Sequence, residues 1–387
     1  MHRVVILQKS MPQYREAFFT LLKERLAAEN ISLELVYGNM DEGRKDRGSI
    51  NWATFKKNKY YKFGPLKLIW QPCLAEIRSA DLVIVEQADK LLINYLLFLR
   101  NMFGKQRFAF WGSGRHMQSM KYGPRNLFKR IFLNRCDWWF AYTAGSKAFL
   151  IKNGYPADKI TVVQNAVDTR QMVHEYNDIK EEELNSMRNR YGLQEGEKLL
   201  IYCGALYKKK RLDLLIETAD RLVAAGHKLK LAIVGGGADE EIIRNAVLTR
   251  PYIIFSGPLF GREKAMIFKL SCLFLIPGAI GLAVLDSFAF ETPIVTTNYK
   301  YHGVEFEYLV DGLNGVVTDN DLISYVEGIS DLLNDKDKLD RITLNCRSEI
   351  EKYSNENMVH NFAEGIKFFF RENVNSKTHF RKKRVVF

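Results

Sequence analysis

The stretch at residues 204–286 constrains the fold of this chain most, because it repeats the order strand, glycine turn, helix. An apolar run at residues 199–202 ends at Gly204, and apolar residues at helical spacing follow. A second apolar run, at residues 230–234, leads to three consecutive glycines and another helical pattern. Strands that alternate with helices are typical of a parallel sheet with helices on both faces. We therefore predict a doubly wound α/β unit here.

The first of these glycine turns is followed by four consecutive cations: Lys208, Lys209, Lys210 and Arg211. Free N–H groups and the positive end of the helix dipole attract phosphate at a helix start, and a lysine adds a mobile charge. A solvated basic turn is the plainer alternative. The second turn, which includes Gly235 and Gly236, does not complete the spacing of the dinucleotide fingerprint, so we do not predict NAD.

A third unit has a strand up to residue 276, a turn at residues 277–281 and a helix that contains Asp286. Glycines in such a turn let backbone amides approach a ligand, and an acid on the next helix accepts hydrogen bonds from sugar hydroxyls. The competing interpretation is that Asp286 only stabilises the helix N-terminus. Together the three turns favour a nucleoside diphosphate as ligand.

With these motifs in view, the chain resembles the retaining GT-B glycosyltransferases of family 4, in the branch whose donor loop reads PGxxGL. The similar segments span nearly the whole chain in the family's order: PQYREAFF at 12–19, FWGSGR at 110–115, QNAVDT at 164–169, GALYKKKRLDLLI from 204, PGAIGLAVLDSFAFETPIVT from 277 and HGVEFEYLVDGLNG at 302–315. The resemblance implies two facing Rossmann-like domains with the donor and acceptor sites in the cleft between them.

The resemblance also implies roles for individual residues. Lys210 falls on the family's catalytic lysine, Glu305 falls on an acid near the donor, and Tyr14 and Arg15 fall in the first loop as acceptor contacts. Phosphate is the alternative contact for Arg15. For Glu305 a plain surface carboxylate remains the alternative. The full set of donor-binding positions is Gly204, Ala205, Lys209, Arg211, Gly235, Gly236, Gly278, Ala279, Ile280, Gly281, Leu282, Asp286 and Glu305.

The chain departs from the family pattern at three places. The family's arginine after the first glycine is Ala205 here, so Lys208, Lys209 or Arg211 would supply the missing cation. The two family glutamates fall on Gly278 and Asp286, which removes one carboxylate and shortens the other. The family's active-site histidine falls on Ser113, and His116 is a substitute candidate, although an exposed loop histidine is the alternative.

The length of 387 residues suits two domains. We predict an N-terminal acceptor-binding domain at residues 1–168, a nucleotide-sugar-binding domain at 169–352, a helix at 353–374 that returns to the first domain, and a basic tail at 375–387. The polar run at 168–190 is the expected linker. No signal peptide is expected at the N-terminus, and the longest apolar run, residues 91–99, is about half of a membrane span.

The net charge of +12 is unevenly distributed. Residues 1–170 carry 28 Lys+Arg against 14 Asp+Glu, residues 171–374 carry 24 against 31, and residues 375–387 carry 5 against 0. Cations alternate with large apolar residues at 59–70, 122–135 and 379–387, a pattern that suits the interface of an anionic membrane. For residues 122–135 the alternative is a core-facing helix with solvated cations.

Other classes of ligand are not indicated. No nucleic-acid motif accompanies the charge. The five cysteines form no CxxC pair or metal spacing and read as buried residues in a reducing compartment. The one DxD, at residues 335–337, lies far from the glycine turns and reads as surface, so neither a metal nor another cofactor is expected.

These observations predict a glycosyltransferase at the inner face of the cell membrane, in the cytoplasm. It would transfer a sugar from a nucleoside-diphosphate sugar to a surface-polysaccharide or polyprenyl-linked glycan acceptor, in cell-envelope biosynthesis, with retention and without metal. Two alternatives are a sugar-nucleotide epimerase on the same scaffold and a non-catalytic glycan- or lipid-binding protein. Ala205, Gly278 and Ser113 favour the latter.

Overall fold

The computed structural model describes residues 1–39, 48–64, 66–114 and 134–383, with backbone alone at residues 63, 66 and 373–383. Internal contacts divide these residues into two compact units. The first unit consists of Met1–Asp168 together with the segment that begins at Asn355, and the second consists of Thr169–Ser354. Each has its own parallel sheet covered by helices, so the predicted α/β class with two Rossmann-like domains is confirmed.

The first unit is built on a seven-stranded parallel sheet in the order β3-β2-β1-β6-β7-β8-β9. Its strands are β1 His2–Gln8, β2 Ile31–Tyr37, β3 Thr54–Phe55, β6 Leu82–Glu86, β7 Phe108–Gly112, β8 Trp138–Ala141 and β9 Ile160–Val162. The central strands are apolar throughout, as in Val4–Leu7, because helices cover both faces and leave no side exposed to water.

Two hydrophobic clusters lie on opposite faces of this sheet. Among the described residues of this unit, the helices are α1 Glu16–Ala28, α2 Leu74–Ile77, α3 Leu92–Met102, α4 Ala144–Lys152 and the C-terminal helix α13 Asn355–Lys383. Helices α1 and α13 cover one face, where Phe362 stacks on Phe140 at a centroid distance of 4.3 Å. Helix α13 runs on to Lys383, past the predicted end, because no glycine or proline follows Gly365 to stop it.

Residues 59–70 form a structure that the sequence interpretation did not predict. They make an antiparallel hairpin of β4 Lys59–Phe63 and β5 Leu66–Trp70, outside the main sheet. Gly64 has a φ of +56°, which the turn requires and glycine adopts without strain. Tyr60 and Trp70 pack onto the same cluster as α3, so the hairpin and α3 belong to one layer.

The second unit contains a six-stranded parallel sheet in the order β12-β11-β10-β13-β14-β15. Its strands are β10 Lys198–Cys203, β11 Leu229–Val234, β12 Ile253–Gly257, β13 Ser271–Ile276, β14 Ile294–Thr297 and β15 Gly315–Thr318. The strand order changes direction between β10 and β13. Ligands of doubly wound sheets bind beyond the carboxyl ends of the strands at such a switch point.

Eight helices complete the second unit within the described residues. They are α5 Thr169–Asn177, α6 Glu181–Arg190, α7 Leu212–Ala224, α8 Glu240–Val247, α9 Gly261–Leu270, α10 Ala283–Ala289, α11 Leu322–Asn334 and α12 Lys336–Glu349. The predicted linker therefore forms α5 and α6. Arg262 of α9 holds them by hydrogen bonds of 2.7 Å to Glu183 and 2.8 Å to Asp178, so this polar run folds as part of the unit.

Candidate functional site

Two loops meet at the switch point of the second sheet. A short 3-10 turn, Lys208–Lys210, follows β10, and the loop at residues 277–281 follows β13. The backbone N–H of Ala279 donates to the carbonyl of Lys209 at 2.8 Å. A Cβ added at Gly278 would lie 2.2 Å from that carbonyl oxygen and 2.7 Å from Cα of Lys210. Only glycine permits this approach, so the two loops form one rigid structure.

The side chain of Lys210 also joins the two loops. Its Nζ donates to the carbonyl of Ala279 at 2.5 Å, and the residue is 7% exposed. Burial disfavours the charged amine and lowers the pKa of Lys210 to about 8. Lys210 makes no salt bridge with a described residue. A buried cation without a carboxylate partner is suited to an anionic ligand.

The neighbouring cations also lack carboxylate partners among the described residues. The Nζ of Lys209 lies 5.2 Å from the centroid of the Tyr301 ring, and the guanidinium of Arg211 lies 5.7 Å from that of Tyr299. Arg211 also donates to the side chain of Asn320 and has a φ of +55°. Three of the four predicted cations, Lys209 to Arg211, are thus held by aromatic rings and amide or backbone oxygens.

Asp286, the predicted acceptor for sugar hydroxyls, is paired with a residue that the sequence did not single out. Lys264 of α9 donates to Oδ1 of Asp286 at 2.7 Å, and both side chains are largely buried. The pKa of Lys264 is raised despite its burial, because Asp286 stabilises its charged form. Oδ2 of Asp286 has no hydrogen-bond partner among the described residues. One carboxylate is therefore placed near two buried lysines, Lys264 and Lys210.

His302 holds the 277–281 loop in place through two hydrogen bonds. Its Nδ1 accepts a hydrogen bond from the N–H of Ile280 at 3.0 Å, and its Nε2 donates to the carbonyl of Thr297 at 2.8 Å. The ring stacks on Phe306 at 4.0 Å. Burial lowers the pKa of His302, which keeps the ring neutral as this pattern requires. His302 is the first residue of the HGVEFEYLVDGLNG segment, but its hydrogen bonds to Ile280 and Thr297 could not be read from that segment.

Glu305 lies in the same group of loops. Its residue is buried, and its Oε2 would be 2.8 Å from a Cβ added at Gly303 and 3.6 Å from one added at Gly281. The carboxylate is therefore next to the 277–281 loop, which ends with Gly281 and is followed by Leu282, both partly exposed. This position argues against a freely solvated surface carboxylate.

The turns after β10 and β11 pack on one another. The N–H of Gly204 donates to the carbonyl of Val234, and the N–H of Leu206 donates to that of Gly236, both at 3.0 Å. A Cβ at Gly235 would lie 1.9 Å from the oxygen of Gly204, whereas one at Gly236 would lie no closer than 3.5 Å to any neighbour. Gly235 is thus required by packing. Ala205 is exposed beside this turn.

The predicted site residues of the first unit differ in how far they are exposed. Arg15 is buried, donates to the side chain of Asn165 and lies 5.0 Å from the centroid of the Trp111 ring. Its guanidinium therefore lies in the interior of this unit, whereas the side chain of the neighbouring Tyr14 is exposed. Ser113 is partly buried just after β7. His116 lies outside the described residues.

The described residues include no candidate for a metal site or for a membrane-spanning helix. No group of three or more His, Cys, Asp or Glu side chains there is placed to hold a metal ion. Asp335 of the DxD sequence caps α12, accepting from the N–H of Lys338 at 2.9 Å. No helix among these residues is long and apolar enough to cross a membrane.

Comparison with known proteins finds similarity to glycosyltransferases, mainly in the second unit. A model of the Glycosyl transferases group 1 family matches residues 185–349. The chain is 26% identical over 212 residues to an uncharacterized glycosyltransferase of Methanocaldococcus jannaschii, which covers 53% of each chain. It is also 26% identical over 131 residues to the alpha-monoglucosyldiacylglycerol synthase of Streptococcus pneumoniae, covering 32% of this chain and 30% of that protein. The chain thus spans about half the length of the first relative and under a third of the second.

The whole fold has solved counterparts. Anabaena HepE, crystallised in complex with UDP, matches with a TM-score of 0.68 and 14% sequence identity, over 95% of this chain and 100% of that one. At this identity the similarity shows the fold alone. The chain therefore has the α/β fold of this solved structure, and its residues 185–349 match the model of the glycosyl transferases group 1 family.

Proposed function

We propose that this protein is a glycosyltransferase that moves a hexose-type sugar from a nucleoside-diphosphate sugar to a surface-polysaccharide or lipid-linked glycan acceptor. The observation that carries the proposal is the joined pair of loops at the switch point of the second sheet. Gly278 lets the loops touch, and Lys210 is held there without a carboxylate partner among the described residues. The family match over residues 185–349 supports the same activity.

The chemistry begins with departure of the diphosphate. As the bond from the sugar carbon to the phosphate oxygen breaks, negative charge grows on that oxygen, and Lys210 is held to stabilise it. The position is fixed before reaction by the hydrogen bond to Ala279, so little reorganisation is needed. Lys209 and Arg211 supply further positive charge where Ala205 supplies none. We expect these cations to act without a metal.

The sugar and ribose would be held by the loop and two carboxylates. Lys264 occupies Oδ1 of Asp286 and leaves Oδ2 to accept from a ribose hydroxyl. Gly278 offers only backbone groups, so recognition of the sugar falls to the loop amides and to Glu305. UDP is the first nucleotide to test, because a protein of the same fold was crystallised with it. Retention of configuration rests on the resemblance to family 4.

The acceptor would bind the first unit, with Tyr14 rather than the buried Arg15 as a contact. We place the protein at the inner face of the cell membrane, held through its basic first half and C-terminal segment. The name of the pneumococcal relative, which describes synthesis of a glucosylated diacylglycerol, supports an acceptor in a membrane. Ser113 and His116 remain predictions for the reacting end of this acceptor.

The donor proposal is tested by thermal stabilisation with a panel of nucleoside diphosphates and their sugars. A ligand at 100 times its dissociation constant adds about 2.7 kcal/mol to the folded state. We expect one base to be selected, and Lys210→Ala to remove the shift while leaving the melting temperature of the free protein nearly unchanged. A panel that gives no shift would contradict the proposal and favour a non-catalytic protein.

A product assay separates transfer from isomerisation. A glycosyltransferase releases the nucleoside diphosphate as the labelled sugar moves to an acceptor extract, and Lys210→Ala should lose most of this turnover. Conversion of the donor alone into an isomer, with the diphosphate still attached, would instead identify an epimerase.

A further inference from the structure

Helix α3 exposes large apolar side chains on the side turned away from the core. Ile93 and Leu97 are buried in the cluster beneath it, whereas Leu99, Met102 and Phe103, at its C-terminal end, are 50%, 58% and 73% exposed. Their spacing of three and four residues places these three on one side of the helix end. A surface helix ordinarily presents polar side chains to water on this side. We call Leu99, Met102 and Phe103 the α3 patch.

Cations accompany the α3 patch, and acids are absent from its sequence neighbourhood. Arg100 lies between its members along the helix but has a buried Nε, whereas Lys105 is exposed just beyond it. The sequence of residues 90–136 contains ten Lys+Arg and no Asp or Glu. An interface with another protein is typically depleted of lysine. Exposed apolar side chains next to an exposed lysine, in a segment without acids, instead match the headgroup region of an anionic bilayer.

The neighbouring hairpin has the same character. Tyr60 of β4 packs on the core cluster that also supports Leu96 of α3, and the N–H of Ile69 donates to the carbonyl of Lys90 at 2.8 Å, just before α3 begins. Tyr61 of the hairpin is exposed, as are Lys59 and Lys62. Residues 48–75 contain no acid. Two adjacent elements of one layer thus carry apolar or aromatic side chains together with lysines.

We propose that the α3 patch inserts into the interface of an anionic lipid bilayer, with Lys105 and the hairpin lysines on the headgroups. This inference rests on the proposed membrane location and names the surface that provides it. It assigns apolar anchoring to α3, in addition to the charge of the first half and the C-terminal segment. The bilayer, rather than a protein, is the occupant because both elements combine exposed apolar surface with positive charge.

The test is co-sedimentation of the full chain with vesicles of phosphatidylcholine, with or without phosphatidylglycerol. The variant Leu99→Ser/Met102→Ser/Phe103→Ser should bind the anionic vesicles at least about tenfold more weakly, because the transfer energy of three large side chains is lost. The matched control is Ile323→Ser/Leu344→Ser, which removes two similarly exposed apolar side chains of the second unit. That control should bind like the unchanged protein.

Each other outcome overturns the inference and separates it from the proposed function. Unchanged binding by the triple variant would place the membrane contact elsewhere while leaving the membrane location intact. Equal binding to neutral vesicles would remove the role of charge. A dimer of the unchanged protein that the triple variant dissociates would make the α3 patch a protein interface. If the unchanged protein binds no vesicles, the proposed membrane location is wrong too. Nucleotide stabilisation, measured on the same samples, then still tests the donor site and shows whether the variant is folded.

Discussion

Replacing Gly278 by alanine should separate the two loops of the candidate donor site. The added Cβ would lie 2.2 Å from the carbonyl oxygen of Lys209 and 2.6 Å from the carbonyl carbon of Lys210. Ordinary contacts begin at about 3.4 Å, so one loop must retreat by roughly 1 Å. Both contacts are backbone atoms, which cannot rotate away as a side chain would. The hydrogen bond from Ala279 to Lys209 is then lengthened or lost.

The expected cost follows from these contacts. Overpacking in a rigid site costs typically about 1–3 kcal/mol, and a lost hydrogen bond adds about 1 kcal/mol. In a unit of this size each kcal/mol lowers the melting temperature by about 2–4 °C. We therefore expect Gly278→Ala to melt roughly 4–16 °C lower and to bind the nucleotide more weakly.

Gly281 in the same loop supplies the matched control. A Cβ there would meet only Oε2 of Glu305, at 3.6 Å, and its φ is not in the left-handed region. Thermal unfolding and nucleotide titration of both variants give the comparison. Equal melting temperatures for Gly278→Ala and Gly281→Ala would refute the reasoning, because the close approach of the two loops would then have no energetic consequence.

Three further predictions concern the charged groups of this site. Nucleotide affinity should fall as the pH rises through about 8, where Lys210 loses its proton, and Lys210→Met should abolish this step in a calorimetric titration while Lys209→Met retains it. Lys264→Met should cost about 3 kcal/mol in chemical unfolding, and Lys264→Met/Asp286→Leu should recover at least half; a double variant no more stable than the single one would contradict the buried pair. The lowered pKa of His302 means that the unfolded chain binds the proton more readily, so stability should fall as the pH drops below about 6.5, and less so in His302→Phe; an unchanged slope would refute this.

The α/β class and the glycine turns were readable from the sequence because each depends on local patterns. The apolar runs of β10, β11 and β13 each end at a glycine or a Pro-Gly pair, and these turns do meet at the switch point. Parallel strands put their carboxyl ends on one edge, so the alternation placed these turns at the same edge, whereas the adjacency of β10 and β13 is seen only in the sheet. Local spacing therefore predicted which turns lie at this edge.

The remaining features depend on contacts between distant residues. The pair Lys264 and Asp286 joins two helices, and neither residue's helical pattern reveals that their inner faces meet. Arg15 was predicted at a ligand from its position in a motif, and the bond from its guanidinium to Asn165, 150 residues away, could not be read from local pattern. The hairpin at residues 59–70 was interpreted only by its composition, since alternate cations and aromatics suit a membrane surface and an antiparallel pair equally.

The central claim is that the paired loops around Lys210 bind the diphosphate of a sugar donor. Isothermal titration of the full chain with UDP and UDP-glucose, in parallel with Lys210→Ala and with Lys228→Ala, an exposed lysine just before β11, tests it most directly. We predict saturable binding by the unchanged protein and by Lys228→Ala, and a loss of about tenfold or more in Lys210→Ala, since hydrogen bonds to charged groups contribute about 1.5–3 kcal/mol. Equal affinity in Lys210→Ala, or no binding of any nucleoside diphosphate by the unchanged protein, would contradict it.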